Sequence, residues 1–257
     1  MRRSQGAIQL FSLASRIRRG TVRQVRDFWE EEACGERYGH DQEGVDYGAI
    51  DRHRYALEPM IPAFAEFASP FEGRAIEMGL GLGSDFVRNV DRGGIWCGLE
   101  LTERSLHHVK QRFPNARLLQ GDAQQLPLAG SSIDYVYSWG VLLCCPDIDR
   151  AIGEIHRVLR TGGMLRMMLY HSPSWVALAA WLRWGWWRGL SAKASVSYME
   201  SPGTQAFSVA EVEQLLASYS SASVRPVHTS WDERWTPILG KLGGDRMGWF
   251  LLCEATK

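Results

Sequence analysis

The chain has 257 residues, of which 29 are basic and 29 acidic, so it carries no net charge at neutral pH. Without an overall positive field, a long polyanion such as nucleic acid is disfavoured as a partner. Five cysteines lie at scattered positions with no C-x-x-C pair, which argues against disulfides and against a zinc site. We therefore expect a cytoplasmic protein with reduced thiols and no bound metal.

Several arginines surround a short apolar patch, residues 7–14, in the first twenty residues. The patch has no small-residue cleavage site, so an amphipathic helix is favoured over a secretion signal, and peripheral membrane contact stays open. Apolar residues at helical spacing predict further helices over 22–32 and 51–67. Residues 1–70 are thus expected to form a helical extension that covers a bound cofactor at the edge of the sheet. It would bring Tyr47 and Arg54 near the reacting end of that cofactor, as candidates for contact with the acceptor, although simple helix packing explains them equally well.

The stretch that organises the chain is residues 74–85, which read R-A-I-E-M-G-L-G-L-G-S-D. Apolar residues predict a short strand, and Gly79, Gly81 and Gly83 predict a tight turn that lets a ligand approach the backbone. Ser84 and Asp85 can cap the helix that follows. Strand, glycine loop and helix together are typical of sites for adenosine cofactors.

Glu77 lies two residues before the first glycine and discriminates between such cofactors. A dinucleotide places its pyrophosphate at the start of the helix. A carboxylate about 5 Å from that charge would cost on the order of 3 kcal/mol at an effective dielectric constant near 20. S-adenosylmethionine has an ammonium group and no phosphate, so Glu77 favours it over a nicotinamide cofactor. The alternative is a loop that only joins strand to helix.

Two more acids follow predicted strands. Residues 95–100 form a buried strand that ends at Glu100, 21 positions beyond Gly79, where a carboxylate can accept hydrogen bonds from both hydroxyls of a ribose. Strand 117–120 precedes Asp122, which could accept a hydrogen bond from the adenine amine. Strands over 133–138, 164–170, 224–229 and 249–255 complete a doubly wound, seven-stranded, mostly parallel α/β domain, residues 71–257.

Five segments together resemble the class I S-adenosylmethionine-dependent methyltransferases: E-M-G-L-G-L-G, G-L-E, Q-G-D-A, S-W-G-V-L-L-C-C-P-D and E-I-H-R-V-L-R-T-G-G. The nearest branch is the ubiquinone/menaquinone C-methyltransferase-like group of small-molecule enzymes, and the resemblance covers residues 74–170. It implies a Rossmann-like fold with S-adenosylmethionine as cofactor. By this resemblance, Glu77 and the three glycines face the methionine portion, Glu100 the ribose, and Asp122 and Ala123 the adenine. Ser138, Trp139 and Gly140 form the floor below the sulfonium. Asp85 and Leu101 are further candidates for cofactor binding.

The chain departs from the N-G-V-L-H-H-x-P-D pattern that is common in this branch. Trp139 replaces the asparagine, and Leu143 and Cys144 replace the two histidines. A mechanism that uses those histidines is therefore not carried over. Beside a sulfonium, Trp139 could contribute a cation–π interaction of roughly 0.5 to 2 kcal/mol.

A tryptophan-rich insertion, residues 172–204, follows the fifth strand and holds five of the eleven tryptophans within residues 175–187. Arg183 and the shortness of the run argue against a membrane span. We interpret the insertion as a helical cap that excludes water above the reacting centre, with Trp175, Trp181 and Trp184 against the acceptor. The alternative is an apolar contact in a homo-oligomer.

Methyl transfer by in-line displacement needs alignment and desolvation more than a strong base. The candidates for proton removal are Tyr170 and His171, at the end of the fifth strand, and Glu200. We expect a methyltransferase that acts on a small, largely apolar or aromatic metabolite. Three alternatives stay open: an enzyme that attacks another carbon of the sulfonium, including cyclisation of the cofactor; a nicotinamide oxidoreductase; and a non-catalytic cofactor-binding module.

Overall fold

The structure is a computed structural model that describes residues 20–41, 44–239 and 242–257. The basic segment expected to form an amphipathic helix lies, up to residue 19, outside the described residues. Within the described ranges, no helix combines the length and the apolar character needed to cross a membrane. The cytoplasmic location and the membrane contact of the basic segment stay predictions.

A central sheet forms the framework of the described chain. A separate two-stranded antiparallel sheet is formed near the start of the chain. The strands are β1 (His40–Asp41), β2 (Gly44–Val45), β3 (Arg74–Met78), β4 (Ile95–Glu100), β5 (Leu118–Gln120), β6 (Ile133–Trp139), β7 (Leu159–His171), β8 (Ala206–Phe207), β9 (Ser221–Val227) and β10 (Phe250–Thr256).

In the central sheet the strand order is β5-β4-β3-β6-β7-β10-β9, with β8 added beside the end of β7. Neighbouring strands are parallel except for β10, which runs antiparallel to both β7 and β9. The expected mostly parallel α/β fold is confirmed. The seven predicted strands are all present, and the two-residue strand β8 is additional.

The strand order reverses at β3, with β4 and β5 on one side and β6 and β7 on the other. In open α/β sheets of this kind, ligands bind beyond the carboxyl ends of the strands at the point of reversal. Because β3 ends at Met78, immediately before the glycine loop, that loop stands at the reversal point.

The outermost strands differ from the central ones. β5 is 3 residues long. Among the described strands β9 pairs with β10 alone; it contains Pro226 and has mostly exposed side chains. Proline is tolerated there because a strand at the edge of a sheet has an unpaired side.

Ten helices of four residues or more have α geometry in the described part of the chain. They are α1 (Val22–Glu31), α2 (Tyr47–Leu57), α3 (Ile61–Phe64), α4 (Ser84–Asp91), α5 (Glu103–Arg112), α6 (Ile148–Val158), α7 (Trp175–Ala180), α8 (Ala192–Ser195), α9 (Val209–Leu215) and α10 (Ser230–Trp235). The single helix expected over 51–67 is wrong, because the chain forms α2 and α3 instead. Pro59 disfavours helical dihedrals at Glu58, which adopts φ −127° and ψ 64° and ends α2.

One hydrophobic core unites the helical layers with the sheet. Val25 of α1 and Ile61 and Phe64 of α3 belong to the same buried cluster as Ile76 of β3 and Leu165 of β7. The described residues before position 70 therefore pack with the main domain. The division of the chain at residue 70 stays a prediction.

The tryptophan-rich insertion forms an irregular helix that continues from α7. A π-helical turn, Trp181–Gly185, and a 3-10 turn, Trp186–Arg188, extend it before α8. Val176, Ala177 and Ala180 are fully buried on one side. The insertion thus has an apolar inner face that packs on the domain.

Candidate active site

A cavity of about 1110 Å³ opens beyond the carboxyl ends of β3, β4 and β6. Its walls come from the glycine loop, the segments that follow β4, β5 and β6, the helices α1 and α2, and α10. Pockets for single small molecules usually measure about 300 to 1,000 Å³. The cavity therefore has room for a cofactor and an acceptor together.

Gly79 is the most constrained position of the glycine loop. Its φ is +74°, and a Cβ atom built on it would lie 2.0 Å from Val141 Cγ2. Its backbone N–H donates to the Leu99 carbonyl at 2.8 Å, which ties the loop to the end of β4. Only glycine accommodates both this dihedral and this close approach.

Gly79→Ala should therefore destabilise the fold more than the dihedral alone requires. Gly162→Ala is a matched control, since Gly162 has a φ of +77° but no atom within 4 Å of an added Cβ. Forcing alanine into the left-handed region costs roughly 1 to 2 kcal/mol. The clash with Val141 should add about 1 to 2 kcal/mol for Gly79→Ala, to be measured by urea unfolding. Equal unfolding free energies for both variants would contradict this account of the loop.

Most predicted cofactor residues line the cavity. They are Glu77, Gly79, Gly81, Asp85, Glu100, Leu101, Asp122, Ala123, Trp139 and Gly140. Two lie behind the wall: Gly83 packs against Val109, and Ser138 is buried with its hydroxyl 3.4 Å from the Met78 carbonyl. These two can support the loop and the floor from outside the cavity, and a direct role for them stays a prediction.

Two of the three strand-end acids, Glu77 and Glu100, accept hydrogen bonds that fix their positions. Glu77 accepts from Asn89 Nδ2 at 2.7 Å, and its burial together with the charge of Asp85 raises its pKa well above the ordinary range. Glu100 accepts from the Leu80 N–H at 2.8 Å on one oxygen and from the Thr102 N–H on the other. That second oxygen, Oε1, also accepts from the Leu101 N–H and the Thr102 hydroxyl, so in the described part of the chain it is Oε2 that keeps acceptor capacity for a ligand.

Asp85 connects the glycine loop to helix α2. It accepts from Arg54 Nε at 3.0 Å and Nη2 at 2.6 Å, and also from the hydroxyls of Tyr55 and Tyr137 at 3.0 Å each. Such a two-point pair fixes direction as well as distance. Arg54, expected at the acceptor, is therefore held at the start of α4, next to the glycine loop, while still lining the cavity.

A second group of polar side chains lies away from the glycine loop. The Tyr170 hydroxyl donates to Glu200 Oε2 at 3.1 Å, and the Tyr170 ring stacks on Trp249 with ring centroids 4.3 Å apart. Burial, with a smaller contribution from the charge of Glu58, raises the pKa of the Glu200 carboxyl to about 7. A carboxylate that titrates near neutrality is suited to accept a proton during catalysis.

Glu58 is a cavity residue that the sequence reasoning missed. Its carboxylate accepts from the indole N–H of Trp139 at 2.9 Å and from that of Trp231 at 3.3 Å. Burial raises the pKa of Glu58 above its ordinary value. Its position before Pro59 indicates a helix end, but no sequence signal indicated the two indole partners.

His171 is not brought to the cavity. Successive side chains of a strand point to opposite faces of the sheet, so when Tyr170 faces the cavity His171 faces away. His171 is buried, and its Nδ1 lies 2.9 Å from the Gly248 carbonyl. Tyr47 likewise points elsewhere, with its hydroxyl bound to His108 and Gln111 of α5.

The three tryptophans predicted to contact the acceptor also lie outside the cavity wall. Trp175 donates to the Leu242 carbonyl and Trp181 to the Leu190 carbonyl. Trp184 packs against Trp235, with ring centroids 5.8 Å apart, and it is Trp235 that lines the cavity. Helix α10 thus stands between the insertion and the cavity, and from residues 172–204 the lining consists of Met199 and Glu200.

Residues 76–167 match a family model described as "Methyltransferase domain". Together with the glycine loop and the strand-end acids, this match decides the nature of the domain. Residues 76–167 are a methyltransferase domain. The resemblance, the enzyme class and the S-adenosylmethionine cofactor predicted from the motifs are confirmed at the level of this domain.

Curated relatives of the methyltransferase domain act on different substrates. A malonyl-[acyl-carrier protein] O-methyltransferase of Methylococcus capsulatus is 30% identical over 162 residues, 61% of this chain and 57% of the relative. A demethylmenaquinone methyltransferase of Staphylococcus epidermidis is 41% identical over 80 residues, 30% of this chain and 33% of the relative. The chain spans a little over half of the first relative and a third of the second, so these matches identify the domain and not its acceptor.

Solved structures share the fold over a longer stretch. A putative methyltransferase of Haloferax volcanii, solved in complex with the Trm112 methyltransferase activator, superposes with a TM-score of 0.60. The match covers 90% of this chain and 96% of that one, at 17% sequence identity. At this identity the likeness shows a common fold alone. Among all the described residues, no three or more His, Cys, Asp or Glu side chains form a cluster that could hold a metal ion.

Proposed function

We propose that the protein is an S-adenosylmethionine-dependent methyltransferase whose acceptor is a small, largely apolar or aromatic metabolite. The observation that carries the proposal is that one cavity has two chemically different ends. The glycine loop and the strand-end acids line one end, and the Tyr170–Glu200 pair lies among aromatic side chains elsewhere in the lining.

At the cofactor end, the residues present fit S-adenosylmethionine. Glu100 and Asp122 line the cavity with carboxylate acceptors that could bind ribose hydroxyls and an adenine amine, while Glu77 and the bare backbone of the glycine loop suit an amino acid portion. The cofactor, when bound, supplies a methyl group activated on a sulfonium. Trp139, held by Glu58, offers an aromatic face beside that charge.

At the acceptor end, the lining is dominated by large apolar side chains. It comprises Met168, Tyr170, Met199, Trp231, Trp235 and Trp249. These surfaces exclude water and favour a flat or apolar acceptor. Among the polar groups of the lining, the carboxylates Glu58 and Glu200 could orient it.

Glu200 is the group best suited to remove a proton from the acceptor. Burial and the nearby Glu200 raise the pKa of Tyr170 well above its ordinary value, so Tyr170 keeps its proton and its hydrogen bond to Glu200. Among the described residues no hydrogen bond engages the other Glu200 oxygen, which can therefore act on a bound acceptor. A hydroxyl, amine or activated carbon could pass its proton to that oxygen as the methyl group is transferred.

Mass spectrometry of both products tests the proposed function. Incubation with S-adenosylmethionine and a panel of apolar and aromatic acceptors should yield S-adenosylhomocysteine and an acceptor heavier by one methyl group. A thioether formed without methyl transfer would instead support the alternative in which another carbon of the sulfonium reacts. Binding of the cofactor without turnover of any acceptor would favour a non-catalytic module.

Glu100→Ala should weaken the binding of S-adenosylmethionine by on the order of 1.5 to 3 kcal/mol, because charged hydrogen bonds to the ribose are lost. The dissociation constant can be measured by calorimetry. Glu103→Ala, a change of the same kind at an exposed position in the first turn of α5, is the control. The parent protein should not bind NAD, and an unchanged dissociation constant in folded Glu100→Ala would refute the ribose contact.

A further inference from the structure

The tryptophan-rich insertion presents large apolar side chains to solvent. Leu182, Trp186 and Trp187 are 57%, 61% and 58% exposed. With Arg183 and Arg188 they form what we call the tryptophan–arginine surface, residues 182–188. Monomeric proteins rarely leave several such side chains exposed side by side without a binding function.

Further exposed apolar residues come from a neighbouring segment of the chain. Ile238 is 81% and Leu242 is 55% exposed. The segment is tied to α7 by the hydrogen bond from Trp175 Nε1 to the Leu242 carbonyl, at 2.6 Å. The exposed apolar area therefore extends beyond the insertion itself.

The insertion carries only positive charges before Glu200. The sequence contains no aspartate or glutamate from residue 155 to residue 199. Arg183 and Arg188 are absent from the ion pairs of the described residues, whereas Lys193 is paired with Glu211. The guanidinium of Arg188 lies 3.6 Å from the centre of the Trp187 ring, and that of Arg183 lies 5.2 Å from the centre of the Trp184 ring.

We propose that the tryptophan–arginine surface docks on an anionic lipid bilayer. Tryptophan rings settle at the level of the lipid headgroups, where one part of the ring is in apolar and the other in polar surroundings. Arginine side chains next to them can reach lipid phosphates while their stems stay in the apolar layer. Each basic residue near an anionic membrane contributes about 1 kcal/mol to binding.

A second copy of the chain suits this surface less well. A two-fold interface would place the same surface on both partners, so Arg183 and Arg188 of each copy would face those of the other. No acid within residues 155–199 could pair with them. Like charges brought together in this way oppose association, whereas an anionic membrane satisfies them.

Docking would bring the acceptor end of the cavity close to the membrane. Trp184 of the insertion contacts Trp235 of α10, which lines the cavity, so this pair of indole rings connects the surface with the acceptor end. An apolar acceptor dissolved in the bilayer would then have a short route to the site. This consequence rests on the proposed function, but the docking itself does not.

Sedimentation with vesicles tests the proposal. The full chain should pellet with vesicles that contain about a third of phosphatidylglycerol, and less with pure phosphatidylcholine. Arg183→Gln combined with Arg188→Gln should reduce the partition coefficient about thirtyfold, from about 1 kcal/mol for each basic residue. Trp186→Ala combined with Trp187→Ala should reduce it at least about tenfold.

Matched control substitutions are available on the central sheet, outside the tryptophan–arginine surface. Ile95→Ala removes an apolar side chain that is 48% exposed, and Arg225→Gln removes an exposed arginine from β9. Both should leave vesicle binding unchanged. The proposal would be overturned if the parent failed to pellet with the anionic vesicles, or if the tryptophan and arginine variants pelleted as well as the parent. It would also be overturned by light scattering that shows a dimer which Trp186→Ala with Trp187→Ala converts to monomer, because a second copy would then cover the surface.

Discussion

Replacing Glu200 by glutamine should lower kcat by a factor of about 10² to 10⁴, the usual contribution of a positioned general base. The amide keeps the size of the side chain and can still accept the hydrogen bond from Tyr170, but it cannot take a proton. Affinity for S-adenosylmethionine, measured by calorimetry, should change little. Glu213→Gln, at an exposed position of α9, is the matched control. Full activity in folded Glu200→Gln would remove Glu200 from the reaction.

The pH profile of the same enzyme should carry the signature of Glu200. Burial raises the pKa of Glu200 to about 7, and only the ionised carboxylate accepts a proton, so the rate should rise as the pH increases through about 7. The hydrogen bond from Tyr170 lowers the pKa of Glu200, so Tyr170→Phe should move this limb to higher pH. In Glu200→Gln the limb should disappear.

Arg54→Ala should reduce the free energy of unfolding by about 3 to 4 kcal/mol. Asp85 is only 4% exposed and would lose its two-point partner, and a buried charge left unpaired typically costs about 3 to 5 kcal/mol. We expect the lower part of that range because Arg54 is 26% exposed and because the hydroxyls of Tyr55 and Tyr137 still donate to Asp85. Urea unfolding measures the change.

Arg52→Ala provides the control on the same helix. Arg52 is 75% exposed and lies 3.7 Å from Asp46, and such surface pairs contribute about 0 to 1 kcal/mol. The cofactor should also bind more weakly to Arg54→Ala, because α2 is no longer held against the glycine loop. Similar unfolding free energies for the two variants would mean that the pair with Asp85 does not secure α2.

The elements that were predicted well depend on local chemistry. Glycines at alternate positions after a short apolar strand admit few backbone conformations, so the loop and the strand-end acids could be located from sequence. The strand Ile95–Glu100 has the same bounds in the structure. The ends of such strands can be located from the sequence, because a run of buried apolar residues stops at a glycine or an acid.

The parts that failed depend on contacts between distant segments. Tryptophans in the insertion were expected over the acceptor because of where the insertion leaves the sheet. The tryptophans that line the acceptor end of the cavity include instead Trp231 and Trp235 of α10, a helix more than forty residues further along the chain. A pattern of apolar residues indicates that a helix has a buried face, but it does not say which element covers that face.

His171 failed for a different reason, one that the sequence did contain. Adjacent residues of a strand cannot both face one cavity, so Tyr170 and His171 were alternatives. The neighbours of each decide between them: the stack of Tyr170 on Trp249 holds it towards the site. Alternation along the strand does not by itself say which of the two side chains faces the cavity, because that depends on the elements that pack around β7, such as β10.

The short β5 and the proline in β9 also determine how this protein behaves at high concentration. An exposed edge with a long row of free backbone groups recruits strands from other molecules and leads to aggregation. Here one edge offers three residues, and the other is interrupted by a residue with no amide hydrogen. Extension of the sheet from copy to copy is therefore disfavoured at both ends. For the described part of the chain, we therefore expect an oligomer to form through side-chain surfaces rather than by pairing of edge strands, so that substitutions of surface side chains should dissociate it.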